Sequence, residues 1–112
     1  MNKWDNKKTE DLFQAILCLK NTNEAKRFFR DLLTEKELIE FGNRWQVARM
    51  LDKEIVYTKI VEATGLSSRT VARISGWLNS GMDGYKLILK RIKSHHHNSS
   101  SFEKGLLWFY FI

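Results

Sequence analysis

The sequence predicts an all-α protein of about six helices. Its 112 residues include no proline, and from about Asp5 to Lys93 apolar residues recur every three or four positions, the spacing of one helix face. No stretch before the last 19 residues is a convincing strand. A chain of this length can bury one core but not two, so we expect one small domain and exclude a two-domain enzyme.

The first half of the chain is expected to form three helices. The first has one apolar face, made of Leu12, Phe13, Ile16 and Leu17. A polar cluster at 21–23 ends it, and Asn23 is expected to cap the second helix. Thr34 and Glu37 have the spacing of a capping box, in which the hydroxyl and the carboxylate satisfy unpaired helix-start amides. They predict the start of a long third helix that ends at Asp52.

Shorter helices are expected in the rest of the domain, over residues 57–64, from the serine pair 67–68 to about Trp77, and over 83–93. Gly65 separates the first two, and a polar break at 79–81 separates the last two. Together with the three earlier helices, these give the expected total of about six.

The predicted domain boundary lies after Lys93, where the composition changes abruptly. Residues 1–93 are expected to form the helical domain, and residues 94–112 a flexible His/Ser-rich linker followed by an apolar tail. Three adjacent histidines, 95–97, could bind a metal, but a flexible polar linker is the simpler interpretation, so no metal is expected. The apolar segment 106–112 would need a groove or a partner subunit to cover it, and its role stays open.

The net charge of +6 is concentrated in one part of the chain. Residues 1–52 carry +1, residues 53–93 carry +5, and residues 94–112 are neutral. A basic excess in one compact region is the footprint of a surface that meets phosphate. A solubilising charged face would give the same excess, so a structural motif must decide between the two.

A cytoplasmic protein that does not cross a membrane is expected. The single cysteine cannot form an internal disulfide, and the first residues lack the basic flank and apolar run of a secretory signal. The longest apolar run, 106–112, has seven residues, whereas a helix needs about 20 to span a bilayer.

Residues 57–76 have the pattern of a helix-turn-helix. Gly65 can adopt the left-handed backbone conformation that the tight turn requires, and Ser67 or Ser68 can cap the second helix. Four apolar residues are expected to point inward and lock the two helices together: Ile60, Leu66, Val71 and Ile74. Turn, cap, apolar positions and local positive charge therefore agree on a DNA-binding motif.

The candidate DNA contacts lie on the second helix, its cap and the helix before it: Lys59, Ser67, Ser68, Arg69, Thr70, Ala72 and Arg73. Arg69 is the strongest candidate for reading a base, because a guanidinium can donate two hydrogen bonds to guanine in the major groove. A phosphate contact or a solvated surface arginine is the alternative for the same residue.

The sequence does not predict an enzyme. It has no Gly-rich phosphate loop, no Cys/His metal spacing before the linker and no nucleophile with an evident base. The alternative to a DNA-binding regulator is a helical dimeric protein-interaction module that uses the helix-turn-helix only as scaffold. DNA binding through phosphates would weaken steeply with salt, whereas an apolar protein contact would not.

The segments 33–37 and 42–44, the turn at Gly65 and the later Arg73 together resemble the Trp repressor superfamily, particularly its YerC/YecD branch. The resemblance covers roughly residues 24–92. It implies an intertwined homodimer of helical chains that places two helix-turn-helix units in successive major grooves of a palindromic operator. It also makes repression the default mode of regulation.

The same resemblance raises the question of a corepressor. In the Trp repressor two arginines sandwich the indole of tryptophan, and Arg44 and Arg73 fall on the matching positions. Ile74 replaces a small glycine of that site, however, and Trp77 replaces a polar residue, so bulky groups stand where a ligand would fit. We therefore expect no cofactor and disfavour tryptophan as corepressor, while a different effector, or none, stays open. Arg44 and Arg73 are then expected to be ion-paired or to face DNA.

Overall fold

A computed structural model describes residues 2–98, whose regular structure consists of six α-helices and no strand. The helices are α1 (Lys7–Ile16), α2 (Thr22–Leu32), α3 (Glu35–Asp52), α4 (Tyr57–Thr64), α5 (Ser68–Ser80) and α6 (Gly84–Asn98). The predicted all-α class and the number of helices are confirmed. The apolar tail and the last part of the predicted linker lie outside the described residues. None of the six helices is both long enough and apolar enough to cross a bilayer.

The chain forms two compact units, the first ending at Phe41 and the second beginning at Gly42. Helix α3 crosses this boundary, so its first turns belong to one unit and its later turns to the other. The prediction of one domain over residues 1–93 stays a prediction.

Side-chain caps fix the helix starts of the first unit. Asn21, whose backbone is extended (φ −156°, ψ 174°), caps α2 by accepting a hydrogen bond from the Glu24 N–H at 2.9 Å. The expectation that Asn23 is the cap is wrong, because a cap needs extended backbone before the first turn and Asn23 already lies inside α2.

The predicted capping box of α3 is confirmed. The Glu37 N–H donates to the Thr34 hydroxyl oxygen at 3.1 Å, and the Thr34 N–H donates to a Glu37 carboxylate oxygen at 2.9 Å. The backbone hydrogen bond from Thr34, followed by that of its side chain, holds the pKa of Glu37 below its usual value.

The first unit has almost no interior. None of residues 2–41 is buried, and several large apolar side chains are exposed: Phe13, Leu17, Leu32, Ile39 and Phe41. The amphipathic helices α1 and α2 therefore leave apolar surface that the first unit does not cover by itself.

The second unit has a compact core built from three helices. Its buried members are Val47, Ala48 and Met50 of α3, Ile60 of α4, and Val71 and Ile74 of α5. Leu89 of α6 is also buried, with 4% of its surface exposed. Lys93 of α6 forms a salt bridge with Asp52 at the end of α3, at 2.7 Å. The helix-turn-helix is thus packed onto the second half of α3.

Helix α6 corrects the predicted boundary at residue 93. It runs to Asn98, so the first five residues of the expected flexible linker are helical. Residues 94–98 contain neither glycine nor proline, and serine and histidine have only a moderate helix penalty, so nothing stops the backbone hydrogen bonding at Lys93. Likewise α5 continues to Ser80, through part of the predicted break at 79–81.

Candidate nucleic-acid interface

Helices α4 and α5 and the turn between them form the expected helix-turn-helix. Gly65 has φ +73°, in the left-handed region, and its N–H donates to the Val61 carbonyl at 2.9 Å. A Cβ at this position would meet no atom within 4 Å, so backbone conformation and not space favours glycine here.

The inward positions of the motif are occupied as the sequence predicted. Ile60, Val71 and Ile74 have no exposed surface. Leu66, in the turn, is half-buried and packs against the same cluster. These contacts lock α4 and α5 onto each other and onto α3, so the orientation of α5 is fixed by apolar packing.

Ser67, rather than Ser68, is the cap of α5. Its side-chain oxygen accepts the Thr70 N–H at 3.2 Å, and the two hydroxyl groups lie 3.1 Å apart. Thr70 is half-buried. Both hydroxyl groups therefore have partners within the protein and define the start of the helix.

The remaining candidates on α5 form one exposed face. Ser68, Arg69, Ala72 and Arg73 are all exposed and follow one another at helical spacing. The opposite face of the helix carries the buried residues Val71, Ile74 and Leu78. One side of α5 is therefore anchored in the core while the other presents two arginines and small side chains to the solvent.

The exposed face of α5 is basic. Helix α5 contains no acidic residue, and Lys59 of α4 is exposed. At the end of α3, partial burial and then the charge of Arg49 lower the pKa of Lys53 from its ordinary value. A surface of this kind attracts polyanions.

The two arginines suggested as effector ligands have different surroundings. The Arg44 guanidinium carbon lies 5.8 Å from the ring centroid of Trp77, in cation–π range. Arg73 is on the exposed face of α5. Ile74 is part of the buried core and does not line an open site.

Sequence reasoning missed a second aromatic contact beside Arg44. Trp45 of α3 stacks on Tyr85 of α6, with ring centroids 6.2 Å apart and an interplanar angle of 22°. A groove of about 520 Å³ lies at the junction of α5 and α6 and is lined by Trp77, Gly81, Met82, Gly84 and Tyr85. The helical pattern around Tyr85 predicts partial burial, but no local signal names its partner.

The described side chains offer no cluster of three His, Cys, Asp or Glu residues that could hold a metal ion. His95 is exposed, and the side chains of the next two histidines are not among those described. The expectations of no metal and no cofactor stay predictions.

The sequence model of the Trp repressor protein family matches residues 7–93. The chain belongs to the Trp repressor family. The resemblance noted over about residues 24–92 is confirmed, and the match extends it towards the N-terminus. The family has a DNA-binding regulatory fold and not an enzymatic one, which makes this chain a DNA-binding regulator in the broad sense.

Individual relatives agree with this membership. The uncharacterized protein YerC of Bacillus subtilis is 41% identical over 101 residues, which cover 90% of this chain and 97% of YerC. A TrpR-like protein from Eubacterium eligens superposes with a TM-score of 0.79 at 41% identity, covering 83% of this chain and 96% of that one. A solved structure from Staphylococcus aureus gives a TM-score of 0.77 at 36% identity, with 81% and 91% covered.

Proposed function

We propose that this chain is a sequence-specific transcriptional repressor that reads a palindromic operator as a homodimer, using the helix-turn-helix at 57–76. The observation that carries the proposal is the exposed face of α5, with Arg69 and Arg73 held in place by a buried opposite face. A helix presented in this way fits the major groove of B-DNA.

Within this face, we distinguish side chains that would contact bases from side chains that would contact the DNA phosphates. Arg69 is in the first turn of α5, the part of a recognition helix that reaches base edges. Its guanidinium can donate two hydrogen bonds to guanine. Arg73 is one turn further on and, with Lys59 of α4, is proposed to contact phosphates. Ser68 and Ala72 are small and let the helix approach the groove closely. Ser67 and Thr70 are proposed to support the helix start at the DNA.

The uncovered first unit supports the homodimer. It is about 40 residues long, a size at which a core alone rarely suffices for folding. With no buried residue among 2–41, its exposed apolar side chains need another surface, and a second copy of the chain supplies a matching one. Two copies would then carry two helix-turn-helix units to half-sites about 34 Å apart. Equilibrium sedimentation tests this: a monomer at micromolar concentration would refute the homodimer.

We also propose that DNA binding needs no tryptophan. The Arg44 guanidinium already faces an indole of the chain itself, that of Trp77, and the neighbouring Ile74 is in the core. Titration with L-tryptophan is therefore expected to leave the affinity for the operator unchanged. A rise in affinity would assign Arg44 and Arg73 to an effector site.

The decisive experiment is selection of the purified protein against random duplex DNA at physiological salt. An enriched inverted repeat with half-sites about one helical turn apart is the expected result. On that operator, Arg69→Ala should lower the affinity between about 5-fold and 100-fold and relax one base position. Arg27→Ala removes the same charge from an exposed position of α2 and should have a much smaller effect.

A selection without an enriched sequence would instead favour the protein-interaction module. The exposed apolar side chains of the first unit are the observation on its side. Salt separates the two functions, because only binding through phosphates weakens steeply as salt rises.

A further inference from the structure

The helix that carries the DNA-facing arginines is held at its far end by contacts outside the apolar core. Arg44 lies three and four residues before the buried Val47 and Ala48, so it is on the same face of α3. Trp77 lies three residues after the buried Ile74 and four after the exposed Arg73, so it is at the border between the two faces of α5. The cation–π contact at 5.8 Å thus extends the packing of α3 on α5 by one helical turn.

Adjacent residues of α3 contact different helices. While Arg44 faces Trp77 of α5, Trp45 stacks on Tyr85 of α6 at 6.2 Å. We call these four residues the aromatic clamp. The clamp joins α3 to both helices that flank the turn at 81–83, and the groove of about 520 Å³ lies beside two of its rings, those of Trp77 and Tyr85.

The turn itself leaves the end of α5 little freedom. The Gly81 N–H donates to the Trp77 carbonyl at 2.9 Å, and a Cβ on Gly81 would come within 2.4 Å of that same oxygen. Asp83 has φ +65°, an unusual conformation for a residue with a side chain. The backbone at Trp77 is therefore tied to the following turn while its ring is tied to α3.

We infer that Arg44 and Trp77 are positioning residues that set the angle of α5 on α3, and thereby the affinity for DNA, without contacting DNA themselves. This inference rests on the proposed DNA-binding function. An exposed cation–π contact contributes between about twofold and fivefold to an equilibrium, so its loss should tune binding and not abolish it. The indole is 42% exposed, which keeps the contact in this modest range.

The test is a double-substitution cycle on the selected operator. Arg44→Ala and Trp77→Ala are each expected to weaken binding between about twofold and fivefold, and the double variant should bind no more weakly than the weaker single variant. Trp77→Phe and Arg44→Lys keep a ring and a cation, respectively, and should recover part of the affinity. Met82→Ala, which removes an 81% exposed side chain from the same groove, is the matched control and should bind like the wild type.

Salt dependence distinguishes positioning from direct contact. If Arg44 only positions α5, Arg44→Ala leaves the slope of log affinity against log salt unchanged. A slope that falls by about one would identify a lost phosphate contact and overturn the inference. Effects of the two substitutions that simply multiply would overturn it as well.

Amide hydrogen exchange gives a second readout that needs no DNA. Arg44→Ala and Trp77→Ala should speed exchange in the second half of α5 by a similar factor, whereas Met82→Ala should not. Unchanged exchange in both variants refutes the positioning role. If the wild type selects no DNA sequence, the proposed function fails on its own, and the exchange data still decide whether the clamp holds α5.

Discussion

The turn glycine of the helix-turn-helix allows a quantitative test of the fold. Gly65 and Gly76 both lie in the motif, and neither would bring a Cβ within 4 Å of another atom. They differ in backbone conformation, because Gly65 has φ +73° and Gly76 lies inside α5. Replacing each glycine by alanine therefore isolates the backbone contribution to stability.

The expected effects have opposite signs. Alanine in the left-handed region costs about 1–2 kcal/mol, of which about 0.4–1 kcal/mol is offset because the unfolded chain loses freedom. Gly65→Ala should thus destabilise by about 1 kcal/mol. Gly76→Ala should stabilise by about 0.5–1 kcal/mol, since alanine is the better helix former. The two variants should differ by about 2 kcal/mol, which is about 30-fold in the unfolding equilibrium.

Urea unfolding followed by far-ultraviolet circular dichroism measures this difference. All variants must be compared at one protomer concentration, because the proposed dimer would be stabilised by mass action. Gly65→Asn serves as a third variant and should lie between wild type and Gly65→Ala, since asparagine tolerates the left-handed region. The reasoning is refuted if Gly65→Ala and Gly76→Ala shift the midpoint in the same direction.

Three further experiments test the caps and the core. Asn21→Ala should destabilise by about 1 kcal/mol because it removes the cap of α2, whereas Asn23→Ala should change stability far less; equal midpoints in urea would contradict the assignment. The hydrogen bonds of Glu37 lower its pKa, so they stabilise the protein above the carboxyl's unfolded pKa and are lost as the pH falls through the folded pKa. In Glu37→Gln, the free energy of unfolding should therefore fall less steeply at acidic pH than in the wild type. An equally steep fall would mean that other carboxylates cause the loss of stability. Ile74→Val should lower the free energy of unfolding by about 1 kcal/mol because its site is fully buried, and Ile88→Val, 43% exposed, should lower it much less. Thermal melts of the two variants measure the difference.

Local chemistry explains what the sequence could predict. The capping box at Thr34 and Glu37 and the left-handed turn at Gly65 are encoded within a few residues, and both are found where expected. The buried positions of α4 and α5 are equally predictable from the sequence, because they follow from the helical spacing of the apolar residues. The core of the DNA-binding motif was therefore within reach of pattern reasoning.

Errors arose where several local solutions were available. Asn21 and Asn23 are chemically the same cap, and only the backbone conformation before Thr22 selects the first. No helix-breaking residue follows Lys93 within α6, so the change in composition there does not coincide with the end of the helix. The stack of Trp45 on Tyr85 joins residues 40 positions apart in the chain, and no periodicity within one helix reveals such a pair.

The contrast between the two units separates two requirements of the proposed operator reading. Ile60, Val71 and Ile74 contact one another within the chain, so the pairing of α4 with α5 does not depend on a partner. The apolar side chains of the first unit lack such cover, so under the proposed dimer its stability depends on protomer concentration. Under the proposed function, α5 would therefore set the base preference within a half-site, while the first unit would set the requirement for two half-sites. A variant such as Leu17→Asp should lose the requirement for two half-sites and keep the base preference within one half-site, because Leu17 is 77% exposed and outside the core.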